Sequence, residues 1–264
     1  MTGDRSAPEH TTWVPLRGGG PRPALRVFCL PHAGGAASAF RAWTTGLPAG
    51  SGDVEVCAVQ LPGREGRFGE PAAGDLAGLA APLGRALLPL LDVPFALVGN
   101  SMGALVAFEL AHHLQRRYLL PPVRLVAAAA HPPGARPPGP DLAGLDDDAF
   151  VTLLQRRYGG IPEEILDQPE ILRAYLPVLR ADLTMLEAYR PAPGRPPLRC
   201  PVTAFVGDQD RSLDLGRAEG WRSSAAAFDG HTLPGGHFAL LAHRDAVLDR
   251  LRAEAGLRSP AAVS

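Results

Sequence analysis

The stretch Phe95-Ala96-Leu97-Val98-Gly99-Asn100-Ser101-Met102-Gly103-Ala104-Leu105-Val106-Ala107-Phe108-Glu109 decides how the rest of the chain is read. Phe95 to Val98 reads as an apolar strand, and the segment after Gly103 reads as a helix. Between them lies Gly-x-Ser-x-Gly, a sharp turn that would hold Ser101 in a strained backbone conformation with its hydroxyl exposed. A glycine on each side lets such a turn pack against its neighbours without a Cβ clash. Five residues alone are a weak signal in a chain rich in Gly, Ala and Ser, where a flexible turn is the plain alternative. The strand before and the helix after make Ser101 a candidate nucleophile.

Upstream, Leu25 to Leu30 and Val54 to Val59 are short apolar runs bounded by turn residues, the mark of strands buried on both faces. Ala39 to Thr45 predicts a short helix carrying Phe40 and Trp43. Leu76, Leu79, Leu83, Leu87 and Leu90 form one helical face between about Asp75 and Leu91, with Pro82 and Gly84 as points of kinking. Downstream, the helix after Ser101 reaches about Arg117, Pro121-Pro122 stops it, and Val123 to Ala130 is the next strand. Alternating strand and helix predict a mostly parallel, doubly wound α/β sheet with helices on both faces.

After Ala130 that rhythm breaks. His131 to Pro140 is a Pro/Gly-rich loop, and Leu145 to about Tyr189 is helical without an intervening strand. Asp146 or Asp147 would cap one helix, Pro162-Glu163-Glu164 would start another, and Pro177 marks a break in a longer one over Glu170 to Tyr189. A helical insertion over about residues 131–190, entered and left through Pro-rich segments, predicts a lid; ordinary crossover helices are the alternative. The sheet resumes at Pro201 to Val206, Trp221 falls in a short helix, and a strand over Ala226 to Leu233 precedes a closing helix from about Ala239 to Ala255. One domain spanning 1–264 is expected, with 1–23 a loose N-terminal tail and 256–264 a frayed end.

A formal net charge of −1 gives no strong pull toward nucleic acid or an anionic membrane. No apolar stretch approaches the roughly 20 residues that span a bilayer, and Met1 to Pro23 lacks the apolar core of a signal peptide. A cytoplasmic protein is expected. Every basic residue is arginine, so basic contacts here do not titrate. Cys29, Cys57 and Cys200 sit in or beside apolar runs without metal-ligand spacing and read as buried thiols. Neither a metal nor a cofactor is expected.

In an open α/β sheet the reactive groups gather at the carboxyl ends of the strands. Four such ends carry distinctive residues: Pro31 to Gly35, Ser101, Asp208 with Asp210, and His237. A serine hydroxyl needs an imidazole to take its proton, and the imidazole needs a carboxylate to fix its tautomer. Of the eight histidines, His237 is the candidate base, because it follows a strand and two glycines in a loop that can reach the nucleophile. His112 and His113, on the helix after the turn, read as surface residues. Asp210 is the preferred acid, at the point where its strand has fully turned into a loop. Asp208 is the alternative, or bonds the local backbone, and Asp214 comes third. Two backbone N–H groups must face the developing oxyanion. Met102, next to the nucleophile, offers one, and Ala33 in His32-Ala33-Gly34-Gly35 offers the other. His32 either braces that loop or touches substrate.

Nearly the whole chain, from about Arg26 to the closing helix, resembles the type II (editing) thioesterases of polyketide and nonribosomal peptide synthesis, members of the α/β-hydrolase superfamily. Four short segments carry the resemblance, in order: Pro31-His32-Ala33-Gly34-Gly35; Leu61-Pro62-Gly63-Arg64-Glu65 with Arg67 and Glu70-Pro71; Leu179-Arg180-Ala181-Asp182 with Glu187 and Tyr189; and Gly235-Gly236-His237-Phe238. The resemblance implies an α/β-hydrolase fold with a helical lid. It also implies hydrolysis of stalled short acyl groups from the phosphopantetheine arm of acyl or peptidyl carrier proteins. By motif position it assigns Ser101, Asp210 and His237 to the catalytic triad and the Ala33 and Met102 amides to the oxyanion hole. The substrate, not the protein, carries the phosphopantetheine, and a monomer is expected. Arg64, Arg67 and the lid arginines are available for an acidic partner. One departure stands out: the family usually has His before the nucleophile, and this chain has Asn100.

Within enzymes, a product-releasing thioesterase, a carboxylester hydrolase or an acyltransferase are the alternatives. Comparing a carrier-bound thioester with an oxyester of the same acyl group separates them. In another class stands a non-catalytic module that docks carrier protein, which would not react with a fluorophosphonate probe.

Overall fold

The computed structural model describes residues 9–47, 51–137, 139, 142, 144–159 and 166–257. Its sheet has seven strands: β1 (Leu16–Gly19), β2 (Leu25–Leu30), β3 (Val54–Ala58), β4 (Phe95–Asn100), β5 (Arg124–Ala128), β6 (Val202–Gly207) and β7 (Phe228–Leu233), in the order β1-β3-β2-β4-β5-β6-β7. All neighbours run parallel except β1, which is antiparallel to β3. The chain winds outward from β2 in one direction to β3 and then returns past it to β4 and beyond. That reversal opens a crevice at the carboxyl ends of β2 and β4, where an α/β sheet presents its ligand site.

The apolar strands are continuous because both sheet faces are covered. Along β4, Phe95 and Leu97 face one core while Ala96 and Val98 face the other, as the two-residue alternation of a strand requires. The first core is covered by α3 (Ala80–Leu87), α4 (Met102–Arg117), α5 (Asp147–Tyr158) and α6 (Pro169–Ala188). The second is covered by α2 (Arg41–Thr44), α8 (Ala239–Ala242) and α9 (Arg244–Glu254), through Phe40, Trp43, Leu240, Val247 and Leu251. A short helix, α7 (Leu215–Ala218), follows β6. Among the described residues no helix is long and apolar enough to cross a membrane.

Several sequence expectations are corrected. Residues 9–19 do not form a loose tail: α1 (Glu9–Trp13) and β1 lie against the domain, with Leu16 opposite Ala58 in the ladder. Trp13 is buried and stacks under the Arg67 guanidinium, 3.9 Å from its ring centroid, and burying such a side chain contributes about 2–3 kcal/mol. Pro177 does not break α6, which runs through it for 20 residues. Leu176, Leu179, Leu183, Met185 and Leu186 are all buried, and that packing outweighs the hydrogen bond Pro177 removes. The closing helix is divided at His243 into α8 and α9. The helix predicted near Asp75 to Leu91 is regular only over α3, with a single 3-10 turn at each end.

The cap on α5 is Asp146, whose carboxylate accepts from the Ala149 N–H at 2.8 Å. At the other end of the chain, Gly256 and Leu257 close α9 through bonds to the Ala253 and Arg252 carbonyls. Pro162-Glu163-Glu164 and residues 258–264 lie outside the described residues. The three cysteines are buried and unpaired. Burial pushes the Cys57 thiol up to about 12 and that of Cys200 up to about 11.

Candidate active site

Ser101 joins β4 to α4 at φ 53° and ψ −117°, a conformation that L-residues rarely adopt. The Ser101 N–H donates to the Ala128 carbonyl at 2.8 Å, and its own carbonyl accepts from the Ala104 N–H at 3.0 Å. The turn can be this tight because of Gly103, where a Cβ would stand 2.2 Å from the Leu30 carbonyl oxygen. No side chain can yield there, since the obstacle is backbone. Met102 begins α4, so its N–H is among those without an intrahelical acceptor, at the positive end of the helix dipole.

The acid and base are brought together by backbone bonds that continue beyond the β6–β7 ladder. The Asp208 and Gln209 N–H groups donate to the Leu233 and Gly235 carbonyls, each at 2.9 Å. The Gly235 N–H donates to the Asp208 carboxylate at 2.8 Å. Asp208 therefore braces the loop, and Asp210 reaches the histidine. His237 Nδ1 lies 2.9 Å from Asp210 Oδ2, both side chains buried. An ionised carboxylate only accepts, so Nδ1 carries the proton and Nε2 is left as the proton acceptor. Burial pushes the Asp210 carboxyl up, but the bond and charge of His237 and the Ser212 donors outweigh it, leaving the carboxyl below its ordinary range. Asp214 caps α7 through the Arg217 N–H at 2.8 Å and takes no part.

Ser101, His237, His32 and Ala33 line one cavity of about 30 Å³, closed on its other side by Leu154, Leu179, Leu183 and Leu186 of α5 and α6. The His237 ring contacts those of Tyr158 and Phe238, with centroids 4.8 and 5.1 Å away. Burial, then the nearby His237 and Arg64, pushes the His32 imidazole down to about 4. It is neutral at pH 7, and its ring packs on Phe238 at 4.7 Å. His32 also lies on the wall of a larger open cleft of about 550 Å³, bordered by Phe68, Ile171, Tyr175 and Val178.

The model of the thioesterase domain family matches residues 25–255. The chain belongs to that family. This thioesterase is 36% identical over 230 residues to the thioesterase PikA5 of Streptomyces venezuelae, covering 86% of this chain and 80% of that one. It is 39% identical over 236 residues to the AMB antimetabolite synthetase AmbE of Pseudomonas aeruginosa, covering 89% of this chain but only 11% of that much longer protein. The solved structure of the type II thioesterase BorB, from the borrelidin biosynthetic cluster, superposes with a TM-score of 0.79 at 33% identity, covering 94% of this chain and 98% of BorB.

Some of the thioesterase's site residues escaped the sequence reading. Ser212 donates from both its N–H and its hydroxyl to Asp210 Oδ1, at 2.8 and 2.7 Å, and its Oγ lies 3.1 Å from His237 Nδ1. Nothing in the local sequence separates it from an ordinary loop serine. Arg64 and Arg67 are not available to a partner: both are buried, Arg64 in a two-pronged bond to Asp182 at 2.6 and 2.8 Å and Arg67 in a pair with Glu70 at 2.6 Å. Asp182 had a readable signal, because a carboxylate between Leu179, Leu183 and Leu186 falls on the apolar stripe of its helix. His112 is not a surface residue either. It is buried against Phe108, and burial with the charges of Arg195 and Arg116 pushes it down to about 4. Asn100 is wholly buried, and neither side-chain amide atom has a hydrogen-bond partner among the described residues.

Proposed function

We propose that this thioesterase hydrolyses short acyl groups from the phosphopantetheine arm of acyl or peptidyl carrier proteins, clearing stalled units in polyketide or nonribosomal peptide synthesis. The observation that carries the mechanism is the buried Asp210–His237 pair sharing a cavity with Ser101. His237 Nε2 removes the Ser101 proton as Oγ attacks the thioester carbonyl. The oxygen that becomes negative is met by the Met102 and Ala33 N–H groups. Collapse expels the arm as a thiol, protonated by the His237 imidazolium, and leaves an acyl-serine. Water, deprotonated by the same imidazole, then releases the acid and restores Ser101.

Two features support a carrier-bound short acyl group over a free lipid ester. The cavity above Ser101 is small and apolar, and α5 and α6 close over it as a lid would. The larger cleft beyond His32, with the exposed Phe68 and Ile171 on its border, offers a path for a long, narrow arm. The relative BorB, a type II thioesterase from a biosynthetic cluster, is consistent with such a partner.

Incubation of the protein and of its Ser101→Ala variant with acetyl- and propionyl-loaded carrier protein, read by intact-protein mass spectrometry, tests the proposal. Loss of the acyl mass with the unaltered protein only is expected. Undiminished hydrolysis by the variant overturns the mechanism, and faster hydrolysis of an oxyester of the same acyl group overturns the substrate class.

A further inference from the structure

The loop that presents Ala33 is fixed by contacts the hydrolytic mechanism does not use. Four peptide groups in succession are tied. The His32 carbonyl accepts from the Gly35 N–H at 2.9 Å. In a planar trans peptide the N–H points opposite to the carbonyl, so this bond sets the direction of the Ala33 N–H. The Gly34 N–H donates to Asp182 Oδ2 at 2.8 Å, and the Gly35 carbonyl accepts from Arg64 Nη1 at 3.1 Å. Asp182 and Arg64 are in turn bonded to each other by two short contacts, with 0% and 5% of their side chains exposed.

Asp182 belongs to α6, 148 residues from Gly34 in the sequence. The same helix lays Tyr175 and Leu179 on the loop. A Cβ at Gly34 would stand 2.5 Å from the Tyr175 hydroxyl and 2.9 Å from Leu179 Cδ1, and Gly34 has φ +73°. Burial, and then the Asp182 charge, pushes the Tyr175 phenol up to about 12, so it remains a neutral group in that contact. Gln60 completes the frame, its side-chain oxygen accepting from the Ala37 N–H and its nitrogen donating to the Arg64 carbonyl, both at 3.0 Å.

We propose that Asp182 is a positioning residue that couples the helical insertion to the oxyanion hole, so that the Ala33 donor is aligned only while α6 is seated on the first loop. When α6 lifts, the Gly34 amide loses its acceptor and Arg64 its counter-charge together. An open lid then admits substrate to a hole with one aligned donor, and closure supplies the second. Acyl transfer is thereby conditional on a closed lid, which disfavours attack on a thioester not yet enclosed. The inference rests on the assignment of the Ala33 amide to the oxyanion hole.

The test compares two inhibitors with the same short acyl chain and pantetheine arm. A trifluoromethyl ketone forms a tetrahedral oxyanion on Ser101, and a thioether mimics the bound substrate without reacting. Because Asp182→Leu alone would strand a buried guanidinium, the variants are built on Arg64→Met. Arg64→Met with Asp182→Leu removes the acceptor. Arg64→Met with Asp182→Asn retains an oxygen for the Gly34 N–H.

The leucine pair should lose about 10–100-fold in ketone affinity, less than the roughly 10²–10³ of a donor removed outright because the Ala33 N–H is misaligned and not absent, with thioether affinity changed little. The asparagine pair should recover most of that loss. Equal weakening of both inhibitors, or identical behaviour of the two pairs, overturns the coupling. An unaltered protein that binds the ketone no better than the thioether removes the oxyanion assignment itself, and the coupling with it. In the unaltered protein, hydrogen exchange at the Gly34 amide should match that of the buried α6 amides; a Gly34 amide exchanging at an unrelated rate is not held by Asp182.

Discussion

The two halves of the active site are held in different ways. Asp210 and His237 stand on loops zipped together by backbone bonds that extend the β6–β7 ladder, so that half is built by the sheet. The Ala33 loop is held instead by side chains, Asp182 from the insertion and Arg64 and Gln60 from the segment after β3. Backbone ladders survive most substitutions, whereas a frame of three side chains fails when one is lost. Under the proposed mechanism, proton transfer falls to the rigid half and charge stabilisation to the adjustable one.

Breaking the rigid half should have the largest effect. Asp210→Asn leaves the loop bonds in place but removes the acceptor that fixes the His237 tautomer, and kcat should fall about 10⁴-fold. Hydrolysis of loaded carrier protein measures it, and a loss below tenfold would transfer the acid's role to another residue. Gly34→Ala strikes the adjustable half, placing a methyl against Tyr175 and Leu179 at a positive φ. A fall in kcat of about 100-fold is expected, with the low-field Nδ1 proton resonance of His237 unchanged in NMR. If that resonance moves, the two halves are not separate.

Ser212→Ala removes one of two donors to Asp210 Oδ1. About a tenfold loss of kcat and an upward move of the Asp210 carboxyl are expected, read as a shifted acid limb of the pH–rate profile. Acid exposes a smaller difference. His32 and His112 both have folded-state values of about 4, set first by burial, against an ordinary 6.5 when unfolded. The unfolded chain therefore binds more protons between these values, and stability falls as pH drops from about 6.5 toward 4, by up to about 1.4 kcal/mol per pH unit for each. Urea unfolding midpoints at pH 7 and pH 5 measure the slope. His112→Leu should flatten it, and an unchanged slope would mean that His112 is not buried uncharged.

The same division governs what could be read in the sequence. Ser101, His237 and Asp210 each follow a strand within a few residues of a glycine turn, so a local pattern points to each. The frame around Ala33 depends on partners 118 and 148 residues apart, and no window along the chain contains both. Asp182 and Arg64 each stand in a separate segment of the family resemblance, Arg64 with its role read as reaching outward, and nothing local joins the two. Pro177 and His112 escaped for a related reason: local propensity says break and surface, and tertiary packing decides otherwise. The segment around β1 has too few apolar residues and too many glycines to announce a strand. Asn100 is legible as a departure and is buried without a partner among the described residues, and the fold gives no reason for it.

Strand β1 has a consequence for how the molecule behaves in a crowd. Without it, β3 would be a sheet edge of five buried residues, whose outward N–H and C=O groups would offer a template to any passing extended chain. Four residues containing two glycines, with the Arg17–Glu55 ion pair across the ladder, make that edge short and charged, a poor seed for aggregation. At the opposite border β7 carries Asp229 and His231, which discourage the same event. The segment least like structure in the sequence thus keeps the sheet from recruiting strangers.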